Sequence, residues 1–426
     1  MKHIANIKSD SRTTGGGRPY KNNPIQGSPL ILRFSPCPEF QAREVLCFSL
    51  CEFFYCSPCR AVLSGRVAAY RFSPFFYHLS VLLSLHDFIL CKNIILLEIS
   101  SRILYNINRE IWRELIFMDL RDIKIIDAHG HLGDILYPDG GDLIFETGIK
   151  FPKSFWLWFL TERVLYKETF LYKLSNKISP MWSVKRERRR NCAATLENLR
   201  KSLEDTNIVK CVCAPVAPNI TYDDILKAYQ AESRIIAFTS PDFTLENINE
   251  TRKKLENDLK NGAMGVKIHP TIQQTEADSD IIMNILDIIQ PYNKPVLIHA
   301  GPATYYLPKE NKTQFADFSS IEKIEKLIAN FPKINFIAGH AGLDDYKKVI
   351  EIMPKYKNAY VDTSFQYPKS IKDLIAAFGV DRVMFASDWH YGQRKPMIAT
   401  VFEACKNDAA LCKLVFYENA AGLLKL

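Results

Sequence analysis

The 426-residue chain has little that would mark it as a secreted or membrane protein. Its first thirty residues are polar and contain no apolar core of a secretory signal. Its most apolar stretch, residues 75–100, is interrupted by two histidines, an aspartate and a lysine, which a membrane-spanning helix rarely tolerates. The sequence therefore predicts neither secretion nor a membrane partner.

Cysteine is sparse over most of the length. Six of the 11 cysteines precede residue 118, and the other five are scattered over the remaining three hundred residues. An odd total without a regular spacing is typical of free thiols in a reducing compartment. We therefore predict a cytoplasmic protein.

Residues 118–426, the larger part of the chain, also lack a strong excess of positive charge. Residues 1–117 contain 14 Lys+Arg and 8 Asp+Glu, whereas residues 118–426 contain 41 against 39. The larger part is nearly neutral, and nucleic-acid binders usually carry a concentrated basic face. The sequence thus predicts no nucleic-acid partner, and the small-molecule substrate that we predict follows from the motifs described below.

The composition changes near Met118. Before it, apolar and aromatic residues occur in clumps without helical or strand periodicity. We predict that residues 1–117 form an irregular N-terminal extension, either absent from the working protein or a real appendage.

The cysteines of segment 47–59 are spaced C-x3-C-x4-C-x2-C, which is not the paired spacing of zinc sites. We therefore favour the interpretation that these cysteines form no metal site and are clustered in a segment that does not fold.

After Met118 the sequence alternates between short apolar segments and amphipathic stretches such as 195–206 and 320–331. Strands that alternate with helices predict a parallel sheet covered on both faces, and eight such units in about 300 residues match a (β/α)8 TIM-type barrel of the α/β class. A doubly wound open sheet is the alternative, but no Gly-rich phosphate loop follows the first strand. The eight predicted strands are 123–131, 208–216, 234–243, 263–270, 294–301, 334–342, 358–365 and 382–390.

One connection is far longer than the others. About 75 residues separate the first and second predicted strands, and many of them are aromatic. Long loops in compact domains usually serve as lids or binding loops, so we predict a domain over 118–426 with a lid insertion at about 135–190. The basic run KRERRR (185–190) predicts a solvated helix start.

All six histidines after residue 118 lie at or just past predicted strand ends, as do Lys267 and Asp388. In a barrel these ends converge on one mouth, and the eighth strand lies beside the first. Clustered neutral imidazoles with a carboxylate suit a divalent transition metal ion, with zinc as the first choice and manganese or iron as alternatives. The histidines are His129, His131, His269, His299, His340 and His390.

A metal ion lowers the pKa of a bound water toward neutrality and polarises a carbonyl oxygen. A nearby histidine that does not bind the ion can move the proton. His340 is the residue we predict for that role, because it lies one strand beyond His299.

Taken together, the motifs DAHGH, GVKIHP, PVLIHAG, FIAGHAG and FASDWH resemble those of the amidohydrolase superfamily. The resemblance covers residues 119–426. It points to the amidohydrolase-related branch, which includes metal-dependent hydrolases and aminocarboxymuconate-semialdehyde-type decarboxylases. It implies a distorted (β/α)8 barrel with a mononuclear site. The metal ligands it implies are His129, His131, His299 and Asp388.

The resemblance further implies that His340 is the catalytic acid/base, with Asp388 also counted among the catalytic residues. A binuclear site bridged by a carboxylated Lys267 is an alternative within the superfamily. Lys267, His269 and Trp389 are the predicted substrate-binding residues.

Three functions follow as alternatives. The first is a hydrolase that acts on a C–N or C–O bond of a small organic molecule. The second is a nonoxidative decarboxylase of an aromatic or unsaturated acid, since the same ligands serve both reactions. The third is a catalytically silent metal-binding barrel. By analogy with other barrels, a homo-oligomer is possible.

Overall fold

The computed structural model describes residues 122–152, 180–204, 206–245, 247–307, 310, 313–405 and 408–426. The predictions for the N-terminal extension, for the cysteine cluster and for residues 153–179 of the lid lie outside these residues. Within the described ranges, no helix has both the length and the apolar character that a bilayer span requires.

Eight short parallel strands are present in the described chain, one within each predicted strand segment. They are ordered β1-β2-β3 in one sheet and β4-β5-β6-β7-β8 in another. The strands are β1 Ile125–Asp127, β2 Ile208–Cys213, β3 Ile235–Ala237, β4 Val266–Ile268, β5 Val296–His299, β6 Phe336–Gly339, β7 Ala359–Asp362 and β8 Val383–Met384.

Backbone hydrogen bonds join the two sheets into a closed barrel. Lys267 N donates to Thr239 O at 2.7 Å, which links β4 to the end of β3. Asp388 N donates to His129 O at 2.8 Å, and Gly130 and Trp389 form a parallel bridge, so the chain beyond β8 pairs with the chain beyond β1. This closure confirms the predicted (β/α)8 barrel and places the ends of β1 and β8 side by side.

Helices follow the strands, as expected of a parallel barrel. The predicted helices 195–206 and 320–331 are confirmed with slightly shorter bounds. The α-helices are α1 Pro180–Asn191, α2 Leu196–Leu203, α3 Tyr222–Ala231, α4 Ile248–Lys260, α5 Asp280–Ile289, α6 Ile321–Asn330, α7 Tyr346–Ile352, α8 Pro368–Phe378, α9 Arg394–Cys405, α10 Ala409–Lys413 and α11 Asn419–Leu424. Single 3-10 segments cover Gly140–Phe145, Gln290–Tyr292, Thr313–Ser319 and His340–Asp345, and a π-helical turn covers Leu414–Glu418.

Apolar spacing explains why these helices pack on the sheet. In α6, Ile321, Ile324, Leu327 and Ile328 recur at three- and four-residue intervals and are fully buried. At the start of α2, the Thr195 side chain accepts a hydrogen bond from Asn198 N at 3.2 Å and thus caps the first turn.

The barrel interior changes character along its axis. Its lower part is filled by apolar side chains such as Val212, Leu297, Ile337 and Met384, which pack together in one buried cluster. Lys267 pairs in register with Leu297 between β4 and β5, and its side chain is fully buried. Above this layer, at the C-terminal ends of the strands, the buried side chains are mostly polar.

Candidate metal centre

Three buried ligand atoms meet where the end of β1 lies against the end of β8. His129 Nε2 and His131 Nε2 are 3.3 Å apart. Asp388 Oδ1 lies 3.6 Å from the first nitrogen and 3.4 Å from the second. Ligands bound tetrahedrally at about 2.1 Å are separated by about 3.4 Å, so these spacings fit a single ion.

The outer nitrogens of both imidazoles have acceptors, which determines where the protons lie. His129 Nδ1 is 2.8 Å from Asp362 Oδ2, and His131 Nδ1 is 2.6 Å from the carbonyl oxygen of Ala214. Each Nδ1 therefore donates its proton outward, and each Nε2 keeps a lone pair directed at the other. Burial lowers the pKa of both histidines well below the ordinary value, which favours these neutral forms.

One oxygen of the carboxylate beside them, Asp388 Oδ1, is buried and has no hydrogen-bond partner among the described residues. Burial raises the pKa of Asp388 well above its ordinary value. Two imidazole nitrogens and a buried carboxylate oxygen that face one another at these distances are the arrangement that a divalent cation satisfies. On this observation, the residues present fit a metal ion.

Lys267 reaches the same group from β4. Its Nζ is 2.8 Å from His129 Nε2, and burial lowers the pKa of this amine to about 8. One lone pair cannot serve both an N–H donor and an ion, so metal binding at His129 requires the amine to move aside. The bridging role of a carboxylated Lys267 stays a prediction.

His340 lies beside the ligand group, and His299 lies beyond it. His340 Nε2 is 4.0 Å from Asp388 Oδ2 and 3.1 Å from His299 Nδ1. His299 Nε2 is buried and has no hydrogen-bond partner in the described part of the chain. The described ligand atoms that lie within 4.8 Å of one another include His129, His131 and Asp388 but not His299. The role of His299 as a fourth ligand therefore stays a prediction.

Asp362, at the end of β7, is a residue that the sequence analysis missed. It lies with His129 and His340 in a second group of ligand atoms within 4.8 Å of one another. The available signal was its position, since Asp362 lies within the predicted seventh strand as Asp388 lies within the predicted eighth. The sequence analysis singled out histidines at strand ends and only one carboxylate.

The predicted substrate-binding residues lie around this centre. His269 stacks on His299 with ring centroids 4.1 Å apart, and its Nε2 is 3.2 Å from the hydroxyl of Tyr305. Trp389 is buried between Phe151, at 6.0 Å between ring centroids, and the Arg394 guanidinium, at 5.0 Å. His390 Nε2, 3.1 Å from Asn191 Oδ1, faces the end of α1 instead.

A buried ion pair anchors the turn that carries Asp388. Arg394 Nε donates to Asp127 Oδ2 at 2.9 Å, and Ser387 donates to the same carboxylate from its backbone N–H at 2.8 Å and its hydroxyl at 2.6 Å. Asp388 itself adopts φ 51, in the left-handed region that non-glycine residues seldom occupy. The anchored neighbours hold it in that conformation.

The two histidines of the DAHGH motif lie just past β1, which ends at Asp127, and the bridge between Gly130 and Trp389 places them beside the chain beyond β8. The prediction that the basic run 185–190 begins a helix is wrong. The basic run 185–190 closes α1 and does not begin it. Its last residue, Arg190, is only 1% exposed, and Arg188 forms an ion pair with Glu310.

Comparison with known proteins agrees with this architecture. The family model described as amidohydrolase matches residues 126–426. None of the curated proteins matches the chain significantly.

Several solved structures are similar to most of this chain. The 5-carboxyvanillate decarboxylase of Novosphingobium aromaticivorans, complexed with manganese and 4-hydroxy-3-methoxy-5-nitrobenzoic acid, has 16% identity, covers 72% of this chain and 97% of its own, and has a TM-score of 0.51. The 5-carboxyvanillate decarboxylase of Sphingomonas paucimobilis has 11% identity, covers 72% and 100%, and has a TM-score of 0.49. An uncharacterised TIM-barrel protein of Bordetella bronchiseptica has 14% identity, covers 71% and 99%, and has a TM-score of 0.48.

Proposed function

The chain belongs to the amidohydrolase family, and on this premise we propose that it is a metal-dependent hydrolase that acts on a C–N or C–O bond of a small organic molecule. The observation that carries the proposal is the set of three buried, mutually facing ligand atoms of His129, His131 and Asp388. Such a set is costly to bury without a cation.

The donor set bears on the choice of metal. Two imidazole nitrogens and one carboxylate oxygen suit zinc, manganese or iron, and we propose zinc first because its borderline softness matches nitrogen ligands. Manganese has separate support, since the solved structure with a TM-score of 0.51 is complexed with manganese. When bound, a divalent ion would acidify a water ligand and polarise a substrate carbonyl oxygen.

In this proposal the chain's own residues move the proton. His340 Nδ1 faces the Ser364 hydroxyl at 2.7 Å, so its Nε2 is the nitrogen that faces the ligand group. Burial lowers the pKa of His340 well below its ordinary value, which keeps this nitrogen free to accept a proton from the attacking water. The same imidazole returns the proton to the leaving group.

Nonoxidative decarboxylation is the second candidate, and a specific observation favours it. Aromatic rings surround the histidine cluster: Tyr305 lies 6.1 Å from Tyr391 and 6.2 Å from His299, and Phe365 lies 5.4 Å from His340. Such walls suit a planar aromatic acid. The fold relative with a TM-score of 0.51 is named a decarboxylase.

One experiment separates the candidates. Purified protein loaded with zinc or manganese is assayed against lactones, amides and hydroxybenzoates, with formation of the carboxylic acid product and release of CO2 recorded in parallel. Acid formation without CO2 supports the hydrolase, and CO2 release from a hydroxybenzoate supports the decarboxylase. Well under one equivalent of tightly held metal, with no turnover after metal addition, would support the catalytically silent barrel and refute both.

A further inference from the structure

Both oxygens of the Asp362 carboxylate are engaged, and by different parts of the centre. Oδ2 accepts a hydrogen bond from His129 Nδ1 at 2.8 Å. Oδ1 accepts from the backbone N–H groups of His340 and Ser364, each at 3.0 Å, and from the Ser364 hydroxyl at 2.5 Å. Asp362 is fully buried, so water does not compete for these donors.

Ser364 extends the arrangement to the second imidazole. Its hydroxyl donates a hydrogen bond to Asp362, so its oxygen is left to accept a hydrogen bond from His340 Nδ1 at 2.7 Å. Asp362 therefore determines the tautomer of His129 directly and that of His340 through Ser364. In both rings the proton is held outward, and the Nε2 lone pair faces the centre.

Packing ties the two imidazoles together as well. The rings of His129 and His340 stack with centroids 4.7 Å apart and planes 25° apart. A Cβ at Gly339 would lie 3.1 Å from His129 Cε1, so a side chain there would crowd the ring. His340 adopts φ 58, in the left-handed region, and Asp362 accepts its backbone N–H there.

We propose that Asp362 and Ser364 are positioning residues that couple a metal-ligating imidazole to the catalytic acid/base. Asp362 orients His129 for the ion, and the Asp362–Ser364 pair orients His340 for proton transfer. This inference rests on the proposed function for the role of His340, but its statement about His129 concerns metal affinity alone.

A carboxylate is required because two separate sets of donors need an acceptor. An amide offers only one acceptor oxygen, so Asp362→Asn must turn its NH2 either toward His129 Nδ1 or toward the three donors around Oδ1. We expect Asp362→Asn to weaken zinc binding by roughly 10- to 100-fold, the range typical of lost partners of metal-bound histidines. Ser364→Ala should leave zinc affinity within about threefold, because Asp362 still accepts from His129.

Measurements of kcat and KM should further distinguish the role of Ser364 from that of Asp362. We expect Ser364→Ala to lower kcat by roughly 10- to 100-fold with little change in KM, since only proton transfer is disturbed. Ser364→Thr keeps the hydroxyl and should restore most of kcat. Ser370→Ala is the matched control: Ser370 is also fully buried, but its hydroxyl bonds to the backbone of Tyr367 at the start of α8, so kcat should not change.

The experiment measures zinc affinity of the full chain by chelator competition, and kcat and KM where a substrate has been found. An affinity loss in Asp362→Asn but not in Ser364→Ala supports the proposal. Equal affinities in Asp362→Asn and the unmodified protein, or equal losses in both variants, would overturn it. Zinc affinity is measured without a substrate, so the role of Asp362 is tested even if the proposed reaction fails.

Nitrogen-15 NMR of the imidazoles in the zinc-loaded protein covers the case in which Asp362→Asn does not fold. Loss of the Nδ1–H tautomer of His340 in Ser364→Ala, with that of His129 retained, supports the proposal. An unchanged His340 tautomer would contradict it.

Discussion

Replacing Arg394 by methionine should destabilise the barrel through a single buried charge. The Arg394 and Asp127 side chains are 1% and 0% exposed, and the two atoms that join them are 2.9 Å apart. Methionine keeps an apolar stem against Trp389, but of the described side-chain and backbone donors to Asp127 it leaves the two of Ser387. The variant thus buries a carboxylate whose countercharge is gone.

The magnitude follows from this geometry. At 2.9 Å and an effective dielectric constant of about 20, the Coulomb attraction is about 6 kcal/mol. Removing one partner of a buried pair usually costs about 3–5 kcal/mol, because the structure relaxes and the remaining acid can take up a proton. We therefore expect Arg394→Met to lower the free energy of unfolding by about 3–5 kcal/mol at pH 7.

Urea denaturation followed by circular dichroism measures this loss. Asp127→Asn combined with Arg394→Met removes both charges and should cost clearly less than the sum of the two single changes. Burial already raises the pKa of Asp127, with Arg394 opposing the rise. Without Arg394 the acid is protonated more readily, so the loss should shrink as the pH falls. A loss below about 1 kcal/mol, or additive single changes, would refute the buried-pair reasoning.

Three further results are expected. Chelation of the metal should lower Tm, and restoring zinc at about 100 times its Kd should regain about 2.7 kcal/mol, or roughly 5 °C by differential scanning fluorimetry; a Tm indifferent to metal would argue against a built site. His340→Ala should abolish turnover yet retain metal, whereas His131→Ala should lose both, as elemental analysis and activity assays would show; identical behaviour would contradict the division of roles. Glu232→Gln should cost about 1 kcal/mol at pH 7, a modest value because Arg200 and Arg234 are 44% and 36% exposed. Hydrogen bonds from Arg234 lower the pKa of Glu232 to about 2, so its contribution is complete above pH 4.5 and disappears as the pH falls through about 2. If the urea midpoints of Glu232→Gln and the unmodified protein differed by the same amount at every pH, this assignment would be wrong.

The barrel could be predicted from sequence because its signals are local. The strands are short, mostly apolar runs, and all of them except β2 and β3 end near a histidine or an aspartate. Helices such as α6 carry their apolar residues at helical spacing. Barrel closure then followed from the number of units, and it brought Asp388 beside His129 and His131 as expected.

What sequence could not provide was the set of contacts made by each side chain. Asp362 occupies an ordinary strand end, and only the folded structure shows that its two oxygens serve two imidazoles. From its place in the sequence, Trp389 is likewise expected to line the mouth of the barrel, but in the structure it packs against the Arg394 guanidinium. Arg190 belongs to a basic run that suggests solvent, but tertiary packing buries it. The contacts and burial of these side chains depend on residues far apart in the chain.

The pairing of the first and last strands has a consequence for biosynthesis. About 260 residues separate His129 and His131 from Asp388 and its anchor Arg394, so the ribosome makes the two imidazoles well before their carboxylate. A growing polypeptide therefore holds these imidazoles without Asp388 until the chain beyond β8 has been made. Metal loading should follow that step, and a product truncated before β8 should be unable to retain the ion.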